Sequence, residues 1–192
     1  MKACTGTSWT PALLFSLAVA LGTASSARPE GKPYEVVRQP TLKPGDPLPP
    51  PRGPVVLTVL GAAHGGGRPL AFDIAALERL GTVRYRSKNP WYDEPVTYEG
   101  VLGSYLLNVI GVPPGATRLK LRALNEYVVR IPLAELRQWP VLFALKLDGA
   151  YMPVREKGPI WVVYPNHLYP ELGEGLYQDR WIWQLKEMSF EP

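Results

Sequence analysis

A chain of 192 residues, 46% hydrophobic and 20% charged, has the composition of one globular domain with a real core, not of a disordered or fibrous protein. Its 22 prolines and 18 glycines argue for turns and short strands rather than a helical bundle. A net charge of +4, scattered along the sequence, is too small to mark a nucleic-acid-binding surface.

Residues 1–27 read as a secretory signal peptide. Lys2 gives a minimal positive start, residues 11–22 an apolar core, and Ser25-Ser26-Ala27 small residues for cleavage after Ala27. The apolar run is shorter than the ~20 residues of a membrane-spanning helix. An uncleaved anchor is the alternative reading. The start also lacks an arginine pair. A protein loaded with a large cofactor before export travels folded by the twin-arginine route, whereas the general route passes an unfolded chain. The single cysteine, Cys4, falls inside this segment. Cleavage would leave no thiol for a disulfide, a thiolate metal site or a nucleophile.

Residues 28–54 are proline-rich, with PLPPP at 47–51. They predict an extended, poorly packed lead-in of polyproline character, either a stiff spacer or a tail lying along the domain. A ligand for a proline-recognising partner is the sharper alternative. The domain proper is expected over residues 55–192. Residues 55–60, VVLTVL, predict a buried strand. The glycine-rich loop at 61–69 lacks the GK[ST] or GxGxxG spacing of a phosphate cradle. Asp73 is placed to N-cap a short helix over 74–80, which Gly81 stops. Residues 82–87 alternate, Val83 and Tyr85 against Arg84 and Arg86, and predict a strand.

Residues 89–95 read as an irregular loop and 96–99 as a brief strand. Residues 100–111 hold a helix with Leu102, Leu106, Leu107 and Ile110 on one face. A strand over 119–123, a turn at Asn125-Glu126 and a returning strand over 127–131 follow. Pro132 opens a helix of one to two turns that ends at Pro140, and 141–147 is the next strand. Asp148-Gly149 is a strong hairpin signal, because a primed turn needs positive φ. Arg155, Glu156 and Lys157 precede Gly158-Pro159 and an apolar strand over 160–164. Such charges suit binding a polar or anionic group and equally suit a solvated turn. A long loop to Asp179, a helical turn over 180–185 and a last short strand through Phe190 complete an α+β domain on a mixed sheet.

Catalytic signatures are scarce. His64 and His167 sit in separate loops, with no spacing that gathers a metal site. Ser104 does not fit GxSxG. Asp93-Glu94 and Glu171 with Glu174 are acidic loop residues, of the kind that is mostly solvated.

Asp148-Gly149, Met152-Pro153, Gly158-Pro159, Val162, Tyr164-Pro165 and the later Arg180-Trp181 carry a resemblance. Together they resemble an "nGepLp…kGgPlrlvyP" pattern with a "KW" ending. That pattern belongs to the molybdopterin-binding domain of sulfite oxidases and bacterial periplasmic sulfoxide reductases. The likeness runs from about residue 55 to the C-terminus and is greatest to short, exported, single-domain members. It implies a mixed α+β fold, a periplasmic location and a molybdopterin cofactor. In that family the molybdenum is held by a cysteine four residues before a tryptophan. Aligning that tryptophan with Trp91 puts Ser87 at the metal-ligand position. A neutral hydroxyl is a poor substitute for a soft thiolate.

The resemblance further implies that four segments converge on one pocket: the Ser87–Trp91 loop, the Asn125 turn, the Arg155–Lys157 segment and the Arg180-Trp181 end. Arg155, Lys157 and Arg180 would be its cations, Trp91 and Trp181 its stacking faces, Asn125 and Tyr164 its hydrogen-bonding groups. The structural alternative makes the tryptophans packing residues and Arg155-Glu156 a surface pair worth under ~1 kcal/mol. The expectation is an exported module without molybdenum. It would bind a small anionic or aromatic ligand, or an envelope sensor or membrane protein. The alternative is a molybdopterin-dependent oxidoreductase.

Overall fold

The computed structural model describes Met1, residues 32–173 and residues 175–192. The signal peptide expected over 1–27 therefore lies outside the described residues, as does Glu174. In chain order the strands and helices are β1 (Glu35–Arg38), β2 (Leu57–Leu60), β3 (Leu70–Phe72), α1 (Ile74–Glu78), β4 (Thr82–Asn89), β5 (Tyr92–Leu102) and α2 (Gly103–Ile110). Then come β6 (Arg118–Ala123), β7 (Val128–Pro132), α3 (Leu133–Gln138), β8 (Leu142–Leu147), β9 (Ala150–Tyr151), β10 (Trp161–Val163), α4 (Gly175–Gln178) and β11 (Leu185–Glu191).

Two sheets result. The first is antiparallel, in the order β1-β4-β5-β8-β10, with β9 added to β8. The second runs β3-β2-β11-β6-β7 and is mixed, since β11 lies parallel to β2. The expected α+β class is what the chain adopts. Among the described residues no helix is long and apolar enough to cross a membrane.

Alternation decides the faces. Along β4, Val83, Tyr85, Ser87 and Asn89 are buried while Arg84, Arg86 and Lys88 are exposed. The strand runs two residues past its expected end. Residues 89–95 are therefore not an irregular loop but the closing end of a β4–β5 hairpin, with Ser87 opposite Val96 and Asn89 opposite Tyr92. Asn89 closes it, since its Oδ1 accepts from the Trp91 amide at 2.7 Å and its Nδ2 donates to the Tyr98 hydroxyl at 2.7 Å. Farther along β5, a Cβ on Gly100 would lie 2.1 Å from the Phe143 carbonyl oxygen of β8, so only glycine fits where these strands bulge together.

Part of the proline-rich segment is also better packed than its composition suggests. Residues 35–38 add β1 to the outer edge of β4, with Glu35 paired twice to Arg84 at 2.8 Å. The amides of Thr41 and Leu42 both donate to the Arg79 carbonyl, and Leu42 is buried. An uncovered edge of β4 would present unpaired backbone groups, which this segment satisfies.

Turn chemistry behaves as its residues predict. Asp148 (φ 46°) and Gly149 (φ 84°) form a primed turn between β8 and β9. The C-terminal end differs. Residues 181–183 form no helix and Gln184 has a positive φ of 53°, with the Val162 amide donating to the Ile182 carbonyl. β11 then enters between β2 and β6 as the central strand of its sheet, where a short terminal one was expected. Tryptophans at 181 and 183 alternate, which favours extended chain.

Asp73 caps α1 as expected, and it does more. One oxygen accepts from the Ala76 amide at 2.7 Å, and the other from the Arg52 and Gly53 amides at 2.8 Å each. The Ala76 amide first, and the Gly53 and Arg52 amides after it, hold the Asp73 carboxyl below its ordinary value against the opposing effect of burial. Asp73→Ala is expected to cost about 2 kcal/mol at neutral pH. The stabilisation is fully present above the unfolded value near pH ~4 and is lost as pH falls through the lower folded value. Urea midpoints measured from pH 7 to pH 2 should therefore fall less steeply at the acid end for the variant than for the wild type. Parallel acid limbs would refute the assignment.

Candidate functional site

The hairpin tip carries Trp91 toward two segments of the other layer. A cavity of about 300 Å³ opens there, lined by Trp91, Asn125, Tyr127, Trp181 and Trp183, with Gln178 and Asp179 at its edge. The volume is at the small end of the roughly 300–1,000 Å³ range of small-molecule sites. Asn125 belongs to the β6–β7 turn, where its Oδ1 accepts from the Tyr127 amide at 3.1 Å. The Tyr127 hydroxyl reaches across and donates to the Asp179 carbonyl at 3.2 Å, tying the two walls together.

Aromatic edges build the inner wall. Trp91 meets Trp183 edge-on at 5.2 Å, Trp161 at 5.7 Å and Trp181 at 6.0 Å. Trp161 is fully buried behind them and packs edge-on against Tyr98 at 5.5 Å and Trp181 at 5.9 Å. These are the separations that the ring quadrupole favours. The Trp161 Nε1 finds no hydrogen-bond acceptor among the described residues.

Lys157 is held by this cluster, and among the described residues no carboxylate pairs with it. Its Nζ lies 4.1 Å from the Trp183 ring centre, 4.9 Å from Trp161 and 5.2 Å from Trp91. Burial pulls its pKa below the ordinary lysine value. The three ring faces offset part of that cost through cation–π attraction. Lys146, by contrast, pairs with Glu99 at 2.7 Å and Glu78 at 3.4 Å.

The other expected pocket residues go elsewhere. Arg155 points to solvent, its side chain 85% exposed, with Glu156 at 3.8 Å. Proline and glycine on either side hold that turn outside the sheet. Arg180 and Tyr164 are brought together, but around Glu135 of α3 and away from the cavity lining. Tyr164 donates to Glu135 Oε2 at 3.0 Å, and Arg180 Nη1 is bonded to Oε1. The guanidinium also lies 5.2 Å from the Tyr177 ring centre. Burial first, and the Glu135 carboxylate second, push the Tyr164 hydroxyl well above its ordinary pKa. The arrangement braces the chain just before Trp181.

Ser87 is fully buried on the inner face of β4, its hydroxyl donating to Asn166 Oδ1 at 2.7 Å. Of the eight residues singled out from sequence, Trp91, Asn125 and Trp181 line the cavity together. Lys157 packs on the rings of Trp91, Trp161 and Trp183 without joining the lining, and Ser87, Tyr164, Arg155 and Arg180 are not part of it. Sequence reasoning missed Trp183 and Glu135. The alternation of Trp181 and Trp183 was the available signal for the first. Nothing in the local sequence marks Glu135 as buried.

The residues present make a poor site for molybdopterin. The hydroxyl at the metal-ligand position is engaged with Asn166, Arg180 with Glu135, and Lys157 with three rings. Arg155 faces outward. Among the described residues no three His, Cys, Asp or Glu side chains gather to hold a metal ion.

Two sheets with few short helices, and a small aromatic cavity at one hairpin tip, make a mixed α+β domain. Among solved structures, the chain is similar to the sulfane dehydrogenase SoxCD from Paracoccus pantotrophus. The TM-score is 0.53 at 16% sequence identity, over 70% of this chain and 37% of that one. At that identity the likeness is one of fold, and the chain spans little more than a third of its neighbour's length. No protein-family model matches the sequence, and no curated protein does.

Proposed function

We propose that the protein is an exported, periplasmic binding module that uses a sulfite oxidase-like scaffold without molybdenum, its cavity taking a small aromatic or alkyl-bearing molecule. The observation that carries the reading is the open cavity walled by Trp91, Trp181 and Trp183. Of the anionic and aromatic ligands considered from sequence, the aromatic one is favoured, because no lysine or arginine belongs to the lining. An envelope sensor or membrane protein is the partner class that would read such binding. The test is a titration of the protein with small aromatic molecules, followed by tryptophan fluorescence. Binding is expected to weaken about tenfold or more in Trp91→Ala, since a stacking ring contributes ~1–3 kcal/mol in comparable aromatic sites. Unchanged affinity in that variant would remove the cavity from consideration.

The oxidoreductase reading keeps one supporting observation, the fold shared with a dehydrogenase. Elemental analysis of protein purified from its native envelope separates the two. Stoichiometric molybdenum would displace the binding-module reading.

A further inference from the structure

We propose that the cavity selects an organic cation of the alkylammonium class, with the charge against the indole faces and beside Asp179; the inference rests on the binding-module reading. Three observations carry it. The lining holds four aromatic rings, those of Trp91, Tyr127, Trp181 and Trp183, and among the described residues its only charged member is Asp179. Asp179 is exposed, and its backbone carbonyl accepts from the Tyr127 hydroxyl. The same indole cluster already holds an ammonium, that of Lys157, 4.1 Å from the Trp183 centre, and among the described residues no carboxylate pairs with it.

The physics favours this class over the others. A tetraalkylammonium group has weakly hydrated, apolar methyls that bury well, and its diffuse charge is attracted to the negative faces of indoles. Asp179, which is exposed, adds only a weak, solvent-screened Coulomb term of the right sign. An anion would meet that carboxylate with no cation in the lining to offset it. A neutral molecule of the same shape would gain the burial but neither electrostatic contribution. Lys157, 4.1 Å from the Trp183 ring centre and 5.2 Å from that of Trp91, is a competing charge, so the site's preference should strengthen when that charge is removed.

The experiment is calorimetric titration of the full chain with choline, with its neutral carbon isostere 3,3-dimethyl-1-butanol, with benzoate and with benzyl alcohol. Choline is expected to bind about tenfold or more tighter than the isostere, in line with the ~0.5–2 kcal/mol range of cation–π attraction plus the Asp179 charge. Asp179→Asn should lose part of that preference. Lys157→Met should raise choline affinity. Equal binding of choline and the isostere, or tighter binding of benzoate, would overturn the cation assignment and leave the aromatic module standing. Binding of none of the four probes would overturn both.

Discussion

Glu135→Ala is expected to lower the unfolding free energy by about 3–5 kcal/mol, because it strands a cation that the fold has already taken out of water. Arg180 is bonded to Glu135, and the Tyr164 hydroxyl accompanies it at 3.0 Å. The Glu135 and Arg180 side chains are only 12% and 13% exposed. Removing the carboxylate leaves a guanidinium and a phenol without their acceptor, and either can be satisfied only by opening the structure to water. For a domain of this size the midpoint of thermal unfolding should fall by on the order of 10 °C. The double variant Glu135→Leu with Arg180→Met tests the cause, since replacing both partners with apolar groups removes the unpaired charge. It should recover most of the loss. Urea unfolding followed by circular dichroism measures both. A single variant within about 1 kcal/mol of wild type would show that the pair is solvated and the brace unimportant.

Trp161→Ala should be as costly, about 3–5 kcal/mol, by a different route. Trp161 is fully buried in β10, and five rings lean on it: Tyr98, Trp91, Tyr92, Trp181 and Trp183. Alanine leaves a void that the rigid β8–β10 ladder cannot close, so dispersion contacts are lost outright. Trp161→Phe should cost markedly less, because it keeps most of the ring contact and deletes an indole N–H that has no acceptor among the described residues. Near-ultraviolet circular dichroism and urea midpoints check the pair. If phenylalanine proves as damaging as alanine, the unpaired donor has a partner in solution and the packing argument is incomplete.

Local chemistry was legible in the sequence, and long-range partnership was not. The Asp73 cap, the Asp148-Gly149 turn and the alternation of Val83, Tyr85 and their exposed neighbours follow from single-residue physics, and each stands where the pattern put it. The hairpin at residues 89–95 was hidden because proline, asparagine and aspartate there look like a loop, while Asn89 uses its side chain to hold the two strands together. Composition alone disguised residues 35–42, whose order comes from an edge of β4 that lies far along the chain.

The site shows the same division. The resemblance placed the segments of Trp91, Asn125 and Trp181 side by side, and the three residues line one cavity. Arg180 and Tyr164 were assigned to a ligand because charge and hydroxyl in sequence carry no address. Glu135, 45 residues from Arg180 in the chain, supplies one.

The position of β11 sets an order of assembly. Residues 185–191 occupy the middle of the second sheet, parallel to β2 and antiparallel to β6. A chain that emerges from its N-terminal end holds β2, β3, β6 and β7 as two disconnected hairpins until those residues arrive to join them. Closing contacts between residues near 58 and 187 is slow, because it restricts over a hundred residues of chain at once. A ribosome therefore delivers residues 185–191 before the second sheet can exist as one unit, and until then its two hairpins each wait with an open edge.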